Sequence, residues 1–169
     1  MTSRQDRFQG LLEEHRKILF KVAIAYGREP SDREDLVQEM VLQLWRSFAR
    51  YDERQRFSTW MYRVAFNVAV SFYRRETLRA PVTVAADVSI LAIAAESDVE
   101  NSEEELRLLS KVLQELDPLD RALILLYLDG KQHAEIAEVL GISETNVGTK
   151  IGRLKKRIRR SWPDPRPGA

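Results

Sequence analysis

Seven cations and no carboxylate occupy the stretch from Lys150 to Arg160: Lys150, Arg153, Lys155, Lys156, Arg157, Arg159 and Arg160. A solvated helix ordinarily mixes signs and gains i,i+4 pairs, so a run of one sign beside a tight turn points to phosphate as the partner. Just ahead of the run stand Ser143, Glu144, Thr145, Asn146 and Thr149. These are short hydrogen-bonding side chains suited to base edges near a helix start, whereas the cations suit phosphates further along. Two helices and a turn can position them. Ile136, Ala137 and Leu140 put an apolar face on a short first helix, Gly141 can take the positive φ of a C-cap, and Ser143 can cap the next helix. Ile142, Val147, Ile151, Leu154 and Ile158 then form a stripe to be buried. The spacing predicts a DNA-reading helix-turn-helix from Ala134 to Arg160; ordinary bundles also contain amphipathic helix pairs, and the single-sign run is what favours nucleic acid.

A second concentration of rings and cations lies in STWMYRVAFNVAVSFYRRE, where Trp60, Tyr62, Phe66, Phe72 and Tyr73 stand beside Arg63, Arg74 and Arg75. Rings stack on unpaired bases and guanidinium groups hold phosphates, so the segment suits a single strand. Rings at helical spacing also build cores, and both readings stand at this point. Little catalytic chemistry can be assembled from the rest, because the chain has two histidines, no cysteine, no glycine-rich phosphate loop and no paired acid motif. No cofactor or metal is expected. His15, among Glu13, Glu14, Arg16 and Lys17, reads as a solvated histidine.

The elements that must carry these residues are helical throughout. Of 169 residues, 44% are apolar, enough for packed cores, and 27 Lys plus Arg face 26 Asp plus Glu for a net charge of +1. The charge is local: cations crowd the C-terminal helix and acids crowd Glu96 to Glu105. No apolar run is long enough for a signal or a membrane span, which predicts a cytoplasmic protein without membrane contact. A first amphipathic helix is predicted from Arg4 to Tyr26, ended by Gly27 and Pro30. Ser31 with Glu34 forms a capping-box pattern opening a second helix, with Leu36, Val37, Met40, Val41, Leu44, Trp45 and Phe48 on its apolar face. Asp52 to Phe57 reads as a loop, and Ser58 as the cap of a third helix whose core candidates are Trp60, Met61, Val64, Ala65, Val68 and Phe72. Beyond Glu76 the helical pattern fails, and a small-residue and acidic stretch containing Ile90, Leu91 and Ile93 reads as a linker. Helical order resumes at Glu104, with Leu113 and Leu116 in its apolar set; Asp117 and Pro118 then start a helix that closes at Gly130, and WPDPRPGA cannot continue a helix. The result is an all-α chain of two small domains joined by a flexible linker: 1–76, an acidic linker 77–104, 105–160, and a disordered tail 161–169.

This order of elements resembles that of bacterial sigma factors of the extracytoplasmic-function group, over about Arg4 to Arg75 and Leu106 to Arg160. The resemblance is carried by EDLVQEMVLQLWR, by FSTWMYRVAFN, and by the run from LDPLDRALILLYLDG through GISETNVGTKIGRLKKR. It implies a promoter-recognition subunit, not an enzyme, whose partners are promoter DNA and core RNA polymerase, through the largest-subunit clamp helices and the flap. An anti-sigma factor is a frequent further partner in this group. Asp35, Gln38, Glu39 and Trp45 look like the face that docks on the clamp helices. The loop Asp52 to Phe57 with Asn67 looks like the pocket for a flipped base of the melted minus-10 element, flanked by Arg54, Arg56, Trp60, Arg63, Arg74 and Arg75. Ser143, Glu144, Thr145, Asn146, Thr149, Lys150, Arg153, Lys156 and Arg157 look like the reader of the minus-35 element. The chain departs from the family at Phe66 and Ser71, where Arg and Asp are common, and at Gln132, where a hydroxyl residue usually caps. Gly148 and Gly152 inside the recognition helix each cost about 1 kcal/mol relative to Ala. Close approach of the helix backbone to DNA is one reason for them, and a helix that is stable only when docked is the other. The rival functions are a stand-alone helix-turn-helix regulator that needs no polymerase and an adaptor with no promoter contact. The regulator would need a dimerising or sensing element that the sequence does not display, and the cationic helix argues against the adaptor.

Overall fold

A computed structural model describes residues 2–78 and 111–161, and every regular element among them is a helix. The linker residues Ile90, Leu91 and Ile93, the acids Glu96 to Glu105, the helix start at Glu104 and the tail from Trp162 lie outside the described residues.

The first predicted helix is two. α1 spans Arg4–Glu14 and α2 spans Arg16–Tyr26, with His15 leaving helical geometry at φ −111°, ψ 12°. The apolar pattern runs through this break, so periodicity alone does not reveal it. His15 is half-buried against the Phe57 ring, centroids 5.5 Å apart, and is not the solvated residue its charged neighbours suggested. α3 spans Pro30–Ser47 and starts two residues earlier than the Ser31 cap would have it. Pro30 takes the first helical position, where a missing N–H costs nothing, and Asp32 Oδ2 accepts from the Glu29 N–H at 3.2 Å. A 3-10 turn, Phe48–Arg50, leads to the loop, and α4 spans Phe57–Thr77 with Arg56 at its N-cap; Ser58, the expected cap, already lies inside the helix.

In the C-terminal half, residues 111–115 are helical. α5 spans Pro118–Leu128, capped by Asp117 Oδ1 accepting from the Asp120 N–H at 2.9 Å. α6 spans His133–Leu140 and α7 spans Glu144–Ser161, one residue past the predicted end. Gly141 takes φ +68° between them, the left-handed cap that glycine adopts without steric penalty, and the Asn146 N–H donates to Ser143 Oγ at 3.1 Å. The helix-turn-helix geometry therefore forms as its turn chemistry requires.

The two halves share one hydrophobic core. Leu19, Val22, Leu36, Met40, Leu44, Met61, Ala65 and Ala69 fill the N-terminal part, and Leu116, Leu123, Leu126, Ile136, Val147, Ile151 and Leu154 the C-terminal part. α2 and α4 pack against α5, and α4 also against α6.

Candidate nucleic-acid interface

α4 presents one exposed stripe. Arg63, Asn67, Ser71 and Arg74 recur at three or four residues, the spacing that keeps side chains on one helix face, and all four are exposed, as is Arg75. The same helix turns Tyr62 and Phe66 inward: both are buried, with their rings stacked at 5.6 Å. These two rings build the core and cannot meet a base. Phe72 and Tyr73 are half-buried. Trp60 is half-buried in a cluster with Tyr51 at 4.9 Å and Phe57 at 5.3 Å, so its remaining open edge borders the stripe.

The loop before α4 is tied down along its length. Arg54 donates to both carboxylate oxygens of Asp52, by Nε at 3.1 Å and Nη2 at 2.8 Å, and holds the Asp52 carboxyl below the usual carboxylate range. Arg7 likewise pairs with Glu53 and lowers it. Tyr51 donates its hydroxyl proton to the Gln55 carbonyl at 2.6 Å. Arg54 and Arg56 are exposed, and Arg56 Nη1 stands 3.5 Å from Glu135 Oε1 of α6. Gln55 Nε2 donates to Glu138 Oε1 at 3.1 Å. Sequence reasoning missed Gln55, Glu135 and Glu138, because their meeting spans about eighty residues of chain and carries no local signal.

On α7, Ser143, Glu144, Thr145, Asn146, Thr149, Arg153, Lys156 and Arg157 are all exposed. Lys150 is the exception to the expected outward set. It is half-buried, with Nζ 3.8 Å from Asp120 Oδ1 of α5. Burial and the neighbouring Asp117 raise the Asp120 carboxyl, while Lys150 pulls it back down. Lys150 therefore works at the α5–α7 seam. Lys155 lies over the Tyr127 ring at 4.4 Å. Thr145, Thr149, Gly152 and Lys156 share one face, and a methyl group added at Gly152 would meet open space. At Gly148 such a methyl would meet the His133 ring at 3.6 Å, an ordinary contact. Gln132 is the N-cap of α6 and makes no side-chain capping bond, and His133 is exposed.

α3 carries the remaining predicted face. Asp35, Gln38 and Leu42 are exposed, Glu39 and Trp45 half-buried, and Glu39 accepts from Gln43 Nε2 at 3.4 Å. Beside them an open groove between α1 and α3 is lined by Phe8, Leu12, Val41, Leu42 and Trp45. Arg4 stands over the Trp45 ring at 4.9 Å. No helix among the described residues is long and apolar enough to cross a membrane, and none of their His, Asp and Glu side chains group to hold a metal.

Comparison with known proteins follows the same division of the chain. The family model for sigma-70 region 2 matches residues 11–79, and that for sigma-70 region 4 matches residues 106–158. The sequence is 29% identical over 161 residues to RNA polymerase sigma factor NccH of Alcaligenes xylosoxydans xylosoxydans, covering 91% of this chain and 86% of that one. It is 24% identical over 170 residues to ECF RNA polymerase sigma factor SigW of Bacillus subtilis, covering 95% and 91%. Among solved structures, the fold is similar to that of CnrH in complex with the cytosolic domain of CnrY, with TM-score 0.68 and 24% identity over 92% of this chain and 87% of that one. It is also similar to the sigma factor RpoE in complex with the anti-sigma factor NepR from Bartonella quintana, with TM-score 0.73 and 20% identity over 95% and 99%.

Proposed function

The chain belongs to the extracytoplasmic-function group of sigma-70 factors, and from that premise we propose that it binds core RNA polymerase and directs promoter-specific initiation, as a recognition subunit and not as an enzyme. One observation carries the division of labour: each family region presents its own exposed, donor-rich helix face, Arg63 to Arg74 on α4 and Thr145 to Arg157 on α7. The α4 stripe with the loop Asp52 to Phe57 takes the melted minus-10 strand. Asn67 and the open edge of Trp60 meet the extruded base, Arg54, Arg56, Arg63, Arg74 and Arg75 attract the strand's phosphates, and flipping costs a few kcal/mol that stacking and polar contacts offset.

α7 enters the major groove at the minus-35 element. Ser143, Glu144, Thr145, Asn146 and Thr149 meet base edges, and Arg153, Lys156 and Arg157 meet phosphates. Asp35, Gln38, Glu39 and Trp45, beside the apolar groove, dock on the clamp helices of the largest polymerase subunit. The setting for this work is the cytoplasm, where polymerase and genome are, and the likeness to sigma factors solved with anti-sigma partners supports regulation by such a partner.

Run-off transcription on a pool of genomic promoter fragments, with and without this chain added to core polymerase, tests the reading. Discrete transcripts that need the chain are expected. Specific duplex binding without core, and no transcript, would replace it with the stand-alone regulator. Arg153→Ala should weaken promoter binding and lower its salt slope by about one counterion while sparing core binding. Replacing Asp35 and Glu39 should do the reverse, and full competition for core by that variant would remove the docking face.

A further inference from the structure

The halves are joined by polar contacts as well as by apolar packing. Asp129, at the end of α5, accepts the Tyr62 hydroxyl proton at 2.6 Å and pairs with Lys21 Nζ. Tyr26 donates its hydroxyl proton to the Pro118 carbonyl at 2.6 Å. Arg121 is buried on α5 and donates by Nη1 to the Ala25 carbonyl of α2 at 2.8 Å, with its guanidinium 5.2 Å from the Tyr26 ring and 4.9 Å from that of Tyr73. Held this way, α6 lays Glu138 on Gln55 and Glu135 on Arg56. Both partners belong to the loop read above as the rim of the minus-10 pocket. The two carboxylates sit on hydrogen-bonding groups that a phosphate would otherwise take, and they repel an approaching strand.

We propose that this arrangement is a closed state in which α6 masks the minus-10 loop, that Asp129 and Arg121 are its latch, and that the chain reads a promoter only after the latch releases. The inference rests on the promoter-reading function. Its second support is length. Elements named minus-35 and minus-10 are centred about 25 base pairs apart, ~85 Å of duplex at 3.4 Å per base pair. A packed chain of this size measures about 40 Å across. A closed chain touches one element or the other, never both. Residues 79–110 span up to ~100 Å at full extension, so the halves can part by the required distance without leaving one another. The latch is polar, as befits an interface that has to separate in water, and core polymerase, which engages both halves, supplies the work of opening.

The chain has no cysteine, so thiols can be placed at will. Lys21→Cys with Asp129→Cys removes the polar latch, and a short bifunctional methanethiosulfonate reagent restores it as a covalent bridge that reductant cleaves. Run-off transcription with core polymerase should fall roughly tenfold or more in the bridged chain and return on reduction. Equal transcription before and after reduction overturns the latch. Absence of transcripts from the reduced and the unsubstituted chains alike would instead overturn the promoter-reading function. The latch then stands or falls on energy transfer between dyes on Arg16→Cys and Arg159→Cys in the otherwise native chain. Asp129→Asn and Arg121→Met should each lower transfer, and unchanged transfer in both overturns the closed state.

Discussion

Replacing Arg121 tests the reasoning where most of it converges. The guanidinium is 1% exposed and, besides Ala25, reaches the Leu116 carbonyl at 2.9 Å and the Gln114 carbonyl at 3.2 Å through Nη2. Ala25 lies in the last turn of α2, where carbonyls have no partner within the helix, so Arg121 caps α2 with a cation at the negative end of its dipole. Burial pulls its pKa down, and the guanidinium keeps its proton nonetheless. Arg121→Met preserves much of the volume and removes every donor. The carbonyls of Ala25 and Leu116 lose this bond in a buried place, and losing one member of such a network costs about 3–5 kcal/mol. For a chain of this size that is a fall in Tm of roughly 8–16 °C.

Arg121→Lys keeps the charge and loses the fork, so it should recover about half of the loss. Because Arg121 bonds α2 on one side and Leu116 on the other, its removal should also split urea unfolding, followed by circular dichroism, into two transitions. A loss below about 1 kcal/mol, or a lysine variant as stable as the native chain, would refute the assignment of Arg121 as the cap that joins the halves.

Alkaline titration reads the same interface. Burial raises the phenols of Tyr26 and Tyr62 above the ordinary tyrosine range, and Asp129 raises Tyr62 further. The folded state keeps protons that the unfolded chain gives up, so this stability is complete below about pH 10 and declines above it by about 1.4 kcal/mol per pH unit for each phenol. Urea melts between pH 9 and 11 should show that slope, and it should shrink in Tyr62→Phe; an unchanged slope would mean the phenol titrates freely. Gly141→Ala should cost about 1–2 kcal/mol, all of it backbone, since no neighbour lies within 4 Å of the added methyl; a neutral melt would deny the left-handed cap. Gly152→Ala should stabilise α7 by about 1 kcal/mol and yet weaken duplex binding if the helix backbone lies close to DNA there; stronger binding together with greater stability would assign the glycine no recognition role.

Sequence reading succeeded where the determinant is local. The Asp117–Pro118 start, the Gly141 cap and the Ser143 cap each depend on a side chain and backbone a few residues apart. It placed the start of α3 two residues late because Pro30 and Ser31 both carry start signals and the fixed φ of proline prevailed. The break at His15 and the inward turn of Tyr62 and Phe66 are set by packing against distant helices, which overrides a continuous apolar period. Lys150 shows the limit on the recognition helix, since its spacing puts it outward and only Asp120, thirty positions earlier, draws it to the seam. Arg121 left no trace in the pattern at all, because its partner on α2 lies 96 residues away.

The separation of Asp129 from its partners also sets an order of events in synthesis. Lys21 precedes it by 108 residues and Tyr62 by 67. At ~5–20 residues per second a ribosome takes roughly 3–10 s to go from the end of α4 at Thr77 to Asp129. For those seconds the N-terminal half exists without anything to cover its loop or its exposed α4 stripe. A newborn chain is thus born open, and closure is a property it acquires only when its C-terminal half is made.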